Sequence, residues 1–159
     1  MEGMIVALWG GVSVSCGEAA GARRVRGLAG RASVWHGVSG TLDVGSGTSA
    51  RLTGTGRVAV AEAPSEHVLP AAYIPAEQVP VELRCAGRSS RQVHNFGTPA
   101  ALNAAKLIVC EVITPAENWS SFPPHKHDEH VPGYEPRPAE LYHFDSVARP
   151  CLDAPDAAT

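Results

Sequence analysis

Short apolar segments separated by glycine are the feature that most limits what this chain can fold into. Residues 31–63 run RASVWHGVSGTLDVGSGTSARLTGTGRVAVAEA, with a glycine-bearing turn about every eight to twelve residues, a spacing typical of antiparallel sandwiches and barrels. The 16 glycines and 13 prolines are spread along the chain rather than massed, and they leave no room for a long helix. The sequence therefore predicts an all-β protein.

Two later stretches refine this prediction. Between Pro64 and Pro80, the further prolines at 70 and 75 exclude a central strand or a helix interior, so this stretch is predicted to be a connector. Residues 106–114, KLIVCEVIT, predict the clearest strand of the chain, with alternate side chains on two faces that are both largely apolar. We expect this strand to be buried between two layers.

Composition and charge restrict the class of protein. The chain has 159 residues, 44% of them hydrophobic, which is enough to bury a core and argues against overall disorder. Its 13 Lys and Arg residues stand against 16 Asp and Glu residues, for a net charge of −3. No basic field is available to hold a phosphate backbone, so nucleic acid is not expected as a partner.

The cysteines indicate a cytoplasmic location. No two of them form a CxxC pair, and no disulfide-rich framework surrounds them, so reduced thiols are expected. The cysteines are Cys16, Cys85, Cys110 and Cys151.

The apolar N-terminal stretch MIVALWGGVSVSC, residues 4–16, allows one alternative, a secretory leader. However, no Lys or Arg precedes it, and Glu2 stands where a leader carries positive charge. Gly10 and Gly11 also interrupt a run that is too short to span a membrane. We expect instead a strand, a Gly-Gly turn and a second strand that begins at Val12, with no membrane association.

A cluster of histidines makes NWSSFPPHKHDEH, residues 118–130, the candidate functional segment. On a strand, His125 and His127 would point to one side, about 7 Å apart along the chain, where they could share a metal ion. The charged, proline-rich residues 128–138 predict a loop, after which AELYHF begins a returning strand. Glu140 is the first inward position of that strand. A His, His, Glu set with an open position suits zinc or manganese.

Several alternatives remain at this point. On spacing alone, residues 127–130 are equally consistent with a solvated charged loop. Glu129 or Asp128 would replace Glu140 as the carboxylate, although three successive ligands on one straight strand do not converge on a point. The other histidines are expected at the surface or in structural positions, and the two nearby aromatic residues in core or rim packing. These are His36, His67, His130 and His143, and Trp119 and Phe122.

Three segments carry a resemblance to a known family. They are VPVELRCAGRSSRQVHNFGTP (79–99), LIVCEVITPAENWSSFPPHKHDEH (107–130) and ELYHF (140–144). The chain resembles the 5-deoxy-glucuronate isomerases of myo-inositol breakdown, which are related to the 4-deoxy-L-threo-5-hexosulose-uronate ketol-isomerases of pectin breakdown. The resemblance is dense from Leu69 to Phe144 and looser from Leu8 to Glu66.

The resemblance implies a bicupin, with two double-stranded β-helix barrels and the metal in the second. The ligands of the family's pattern fall on His125, His127 and Glu140. The expected organisation is a partial N-terminal barrel at 1–68, a connector with shared strands at 69–104, the first strands of an incomplete metal-binding barrel at 105–144, and a divergent, disordered tail at 145–159.

The family reaction implied is an aldose to ketose isomerisation of 5-deoxy-D-glucuronate to 5-deoxy-2-keto-D-gluconate. A divalent metal would polarise the carbonyl and stabilise an enediolate, so no nucleotide cofactor is needed. The general base is not identified, since a ligated Glu140 has its charge committed. A cationic side chain is expected to bind the substrate carboxylate, and Arg91 and Lys126 are the candidates. A surface salt bridge is the alternative for both and is favoured for Lys126.

The chain also departs from the family. It is shorter than the family's members, the tail DSVARPCLDAPDAAT lacks strand alternation, and a later histidine expected as fourth ligand is absent. We therefore expect a truncated or frameshifted enzyme with impaired activity, whose open strand edges give it low solubility or make it depend on a partner. The expected partner is a small sugar acid, with a homo-oligomer allowed. The alternative function is a non-catalytic metal- or sugar-binding cupin module.

Overall fold

A computed structural model describes residues 1–17, 23–99, 101–125, 127, 129–133 and 137–147, with the backbone alone for 23–26 and 29. Its contacts group into two units, residues 1–122 and 123–159. Over the described ranges the regular structure is β, apart from two single-turn 3₁₀ helices at Ala76–Gln78 and Gly87–Ser89. The all-β prediction is confirmed. No helix in this part of the chain is long and apolar enough to cross a membrane.

Five strands of the unit 1–122 form one antiparallel sheet. They are β1 (Glu2–Gly17), β2 (Arg23–Arg31), β3 (Thr41–Val44), β4 (Ser49–Ala63) and β5 (Ala72–Ile74). One edge of β1 pairs with β4 along its whole length, from Glu2 with Ala63 to Gly17 with Ser49. The other edge pairs first with β3 and then with β2, and β5 adds to β3. The long first strand is therefore the centre of the sheet, and β5 places part of the proline connector at its edge.

The Gly-Gly turn predicted within β1 is wrong. The strand continues through Gly10 and Gly11, where the pairing with β2 shifts register between Gly10 and Val12. Gly10 has a φ of +74°, and a Cβ there would lie 2.4 Å from the carbonyl oxygen of Thr55. A β-bulge takes up the left-handed residue without ending the strand, because bulges bend and twist a strand while its pairing resumes beyond them.

Two apolar clusters cover the two faces of β1. The first contains Ile5, Val12 and Val14 from β1 with Leu42 from β3. The second contains Met4 and Val6 with Phe96, and the segment 101–109 packs on it through alanine, leucine and valine side chains. Since successive strand residues point to opposite faces, one strand serves both cores.

A second, three-stranded antiparallel sheet has the order β6 (Val81–Arg84), β7 (Arg91–Asn95) and β8 (Cys110–Ile113). The strand predicted over 106–114 is thus only four residues long. Its predicted alternation holds, because Leu107 and Val109 pack on the second core while Ile108 is 71% exposed and Val112 40% exposed. The predicted burial on both faces is wrong, since among the described residues β8 is an edge strand with one covered face.

The unit 123–159 contains little regular structure where it is described. Neither His125 nor His127 lies in a strand, the strand predicted at 140–144 is not formed, and Val131 makes only a single bridge. Residues 148–159 lie outside the described residues, so the predicted disorder of the tail stays a prediction. The predicted domain boundaries at 68, 104 and 144 also stay predictions.

Candidate functional site

The two predicted histidine ligands lie close together. The ring centroids of His125 and His127 are 5.2 Å apart and their planes are perpendicular. A metal at an ordinary Zn–N distance, bound tetrahedrally by two imidazoles, requires centroids about 5 Å apart. The Nδ1 atom of His125 lies 3.1 Å from the carbonyl oxygen of Pro123, a contact that would orient the ring. The separation of the two rings is therefore compatible with a shared divalent ion.

The predicted third ligand is not brought to this pair. Over the described ranges, no set of three His, Cys, Asp or Glu side chains is arranged to hold an ion. Glu140 is exposed in an irregular segment. In the same segment, Tyr142 and Phe144 stack with ring centroids 6.0 Å apart. The assignment of His125, His127 and Glu140 as ligands stays a prediction.

The two cations proposed for the substrate carboxylate have different outcomes. The Arg91 guanidinium, which is partly buried, donates to the carbonyl oxygen of Ser89 at 3.3 Å and contacts the Cys85 sulfur at 3.4 Å. These contacts hold Arg91 against its own turn, and its role at the substrate stays a prediction. Lys126 lies outside the described residues.

A buried ionic network joins the two sheets. Arg31, at the end of β2, makes two hydrogen bonds to the Glu111 carboxylate of β8, at 2.6 and 2.9 Å. The same guanidinium donates to the carbonyl oxygens of Ala7 and Gly37 at 3.0 and 2.8 Å. The Arg31 side chain is 3% exposed and that of Glu111 is 15% exposed. Each buried charge is thus paired and hydrogen-bonded, as burial requires.

His94 completes this network from β7, the middle strand of the second sheet. Its Nδ1 lies 2.8 Å from the second Glu111 oxygen and its Nε2 lies 2.9 Å from the Gln92 side-chain nitrogen. The Gln92 amide therefore donates to Nε2, and Nδ1 donates to Glu111. Sequence reasoning missed the network, although Glu111 is the one charged residue in the apolar run 107–113 and such a residue needs a buried partner.

A second buried carboxylate cluster lies at the start of β1. Glu2 is 1% exposed, and its two oxygens accept hydrogen bonds from the backbone N–H groups of Ala105, Lys106 and Leu107. We call this arrangement the Glu2 clasp. Asp43 on β3 is also 1% exposed, and its Oδ1 has no hydrogen-bond partner among the described residues. Burial, together with the charge of Glu2, raises the pKa of Asp43 to about 6.

The loop 115–122 before the histidines is held against the turn 87–90. The Arg88 guanidinium donates twice to the carbonyl oxygen of Glu117, and the Arg88 carbonyl oxygen accepts from the Trp119 N–H at 2.8 Å. The Asn118 amide donates to the Ser90 carbonyl oxygen. Trp119 and Phe122 are 58% and 54% exposed, so neither is a core residue. Of the core or rim packing predicted for these two aromatic residues, the exposed fractions exclude the core and agree with the rim.

A model of the KduI/IolB family matches residues 1–150 of the chain. The chain belongs to this family. The resemblance found in the sequence is thereby confirmed, and the matched range includes His125, His127 and Glu140.

Curated relatives within the KduI/IolB family are named 5-deoxy-glucuronate isomerase. The protein from Geobacillus thermodenitrificans is 45% identical over 86 residues, 54% of this chain and 31% of the relative. The protein from Shouchella clausii is 40% identical over 102 residues, 63% of this chain and 38% of the relative. The chain thus spans about a third of the length of these relatives.

A solved structure supports the fold. The IolB-like protein from Salmonella typhimurium LT2 matches with a TM-score of 0.75 and 32% identity, over 86% of this chain and 51% of that chain. The cupin-type all-β fold predicted for this KduI/IolB chain is therefore confirmed.

Proposed function

We propose that the chain belongs to a 5-deoxy-glucuronate isomerase that converts 5-deoxy-D-glucuronate to 5-deoxy-2-keto-D-gluconate in myo-inositol degradation. The observation that carries the proposal is the pair of imidazoles, His125 and His127, 5.2 Å apart in a chain of the KduI/IolB family. The names of the curated relatives support the reaction. The free thiols of Cys16, Cys85 and Cys110 agree with a cytoplasmic location, which we include in the proposal.

In this proposal His125 and His127 hold a divalent metal, zinc or manganese, with Glu140 as the third ligand. When bound, such a metal supplies Lewis-acid stabilisation of negative charge on the substrate's oxygens, and no nucleotide cofactor is required. The contact between His125 Nδ1 and the Pro123 carbonyl oxygen would fix the tautomer that presents Nε2. Arg91 and Lys126 remain the proposed cations for the substrate carboxylate, and a homo-oligomer is compatible with the proposal.

Metal binding and turnover test the proposal separately. The full chain is dialysed against zinc or manganese, its metal content is measured, and conversion of 5-deoxy-glucuronate is followed by NMR. We expect about one equivalent of metal and measurable ketose. His125→Ala should lower the metal affinity by at least about tenfold, because one of the few ligands is lost.

The matched control is His67→Ala, which removes an exposed histidine of the connector. It should leave metal content and turnover unchanged. If His125→Ala and His67→Ala bind metal equally well, the metal assignment fails. Glu140→Gln tests the third ligand in the same way.

The alternative function, a non-catalytic metal- or sugar-binding module, is favoured by one observation. No described carboxylate completes the site beside the histidine pair. Stoichiometric metal binding that depends on His125, without any ketose formed, would select this alternative over the isomerase.

A further inference from the structure

The Glu2 clasp and Asp43 share one face of the first sheet. Glu2 and Met4 point to the same side of β1, since strand side chains alternate, and Asp43 lies directly opposite Met4 in the register of β3. Asp43 also lies opposite Ala72 of β5, which carries no charge. The two carboxylates are therefore neighbours on a buried face that is otherwise apolar or hydroxyl-bearing.

No described cation on this face compensates the pair. On the same side, β1 contributes Met4, β3 contributes Thr41, and β4 and β5 contribute alanine and isoleucine. The segment 101–109, which packs on this face, supplies Lys106. The Lys106 side chain is exposed, and its backbone N–H donates to Glu2. Glu66 and His67 line an open cavity beside Met1 and Lys106, and both are exposed. The charged group that faces Asp43 from within the layer is Glu2.

The Oδ1 atom of Asp43 thus differs from the two oxygens of Glu2. Glu2 is satisfied by three backbone donors, whereas Oδ1 of Asp43 has none among the described residues. A neutral carboxyl group tolerates such a place, but an ionised one adds an uncompensated charge beside a like charge. The pKa of Asp43, raised to about 6, agrees with this geometry.

We propose that Asp43 is a pH-sensitive latch on the Glu2 clasp, closed when Asp43 carries a proton and loosened when it ionises. Movement of Glu2 away from Asp43 relieves the repulsion. Such a movement breaks the hydrogen bonds from residues 105–107, which lead through Leu107 and Val109 into β8. The latch therefore links the protonation of Asp43 on β3 to the attachment of residues 105–107, which precede β8.

Amide hydrogen exchange of the full chain tests the latch. Protection of the Ala105, Lys106 and Leu107 amides is measured at pH 5 and pH 7.5 and corrected for intrinsic exchange rates. If opening of the clasp returns the pKa of Asp43 from about 6 to its ordinary value of 3.8, protection should fall on the order of tenfold between the two pH values. Asp43→Asn should change less than about twofold over the same range.

The matched control is Asp145→Asn, at an exposed carboxylate of the other unit, which should keep the wild-type pH dependence. A tenfold fall that persists in Asp43→Asn would overturn the proposal. If Asp43→Asn does not fold, the carboxyl ¹³C titration of wild-type Asp43 decides alone. A midpoint near 6 supports the latch, whereas one near the ordinary value of about 4 shows that water or a cation satisfies Oδ1 and overturns it.

Discussion

At the scale of single residues, buried charge is concentrated in two places within residues 1–122. Arg31 and Glu111 form one fully paired group with His94, whereas Glu2 and Asp43 form a like-charged pair. Removing one partner of a buried ion pair lowers the stability of the folded protein by several kcal/mol. Neutralising an unpaired buried charge raises it. The two groups therefore respond in opposite directions to removal of a charge.

Arg31→Met should be strongly destabilising. It leaves Glu111 buried beside His94 without its cation, for an expected loss of about 3–5 kcal/mol in the free energy of unfolding. Urea-induced unfolding followed by circular dichroism measures the loss. Arg84→Met is the control, because the Arg84–Glu82 pair has side chains 48% and 50% exposed and should cost less than about 1 kcal/mol. Equal losses in the two variants would contradict the assigned role of the network.

The stability of the folded chain should depend on pH through Asp43. Its pKa is raised from 3.8 to about 6 on folding, so between these values the unfolded chain releases a proton that the folded chain keeps. Stability therefore falls as pH rises through this window, by up to about 3 kcal/mol at pH 7. Asp43→Asn should lack this fall when the free energy of unfolding is measured from pH 4 to pH 7. If Asp43→Asn leaves the pH dependence of the free energy of unfolding unchanged, another group is responsible for that dependence.

At the scale of elements, glycine decides how β1 stays continuous. Gly10 and Gly11 are adjacent, yet a Cβ at Gly10 would strike the Thr55 backbone, while one at Gly11 would meet nothing within 4 Å. The bulge therefore depends on one glycine of the pair, which the sequence pattern does not distinguish.

Gly10→Ala should be more destabilising than Gly11→Ala. The first forces a side chain into a left-handed conformation with φ of +74° and into backbone contact, which costs of the order of 1–3 kcal/mol in strain. The second has space, and it should change the melting temperature little, since replacing a glycine also restricts the unfolded chain. Thermal unfolding compares the two variants. Equal melting temperatures would contradict the claim that the bulge requires a glycine at position 10.

The sequence predicted those features of the strands that depend on local pattern. It did not predict those that depend on pairing with distant parts of the chain. Alternation placed Leu107 and Val109 on the covered side, and Ile108 on the exposed side, of the segment that leads into β8. Burial on both faces did not follow, because it depends on a covering layer that no local pattern specifies. The same holds for the site. The HKH spacing was enough to bring two imidazoles together, whereas the position of Glu140 depends on long-range pairing.

At the scale of the whole molecule, the second sheet has two open edges among the described residues. Its outer strands β6 and β8 each pair only with β7. Leu83 on β6 is 85% exposed and Ile108 before β8 is 71% exposed. Unpaired edges that carry apolar side chains favour association with other chains.

The chain should therefore associate as its concentration rises, and Leu83→Lys should reduce this association. A charge on an edge strand opposes edge-to-edge pairing. Light scattering coupled to gel filtration measures the mass over a range of concentrations. Val68→Lys adds the same charge at a residue that is 76% exposed but lies outside any strand. A similar reduction in both variants would indicate a general effect of charge rather than the edge of β6.

The central position of β1 has a consequence for the order of events during synthesis. β1 is made before every strand that pairs with it, and the carboxylate of Glu2 meets Leu107, which lies 105 residues further along the chain. Contacts of such separation form late and slow the folding of a β protein. Until the ribosome has made residues 101–109, the face of β1 that they cover remains available to chaperones and to neighbouring nascent chains.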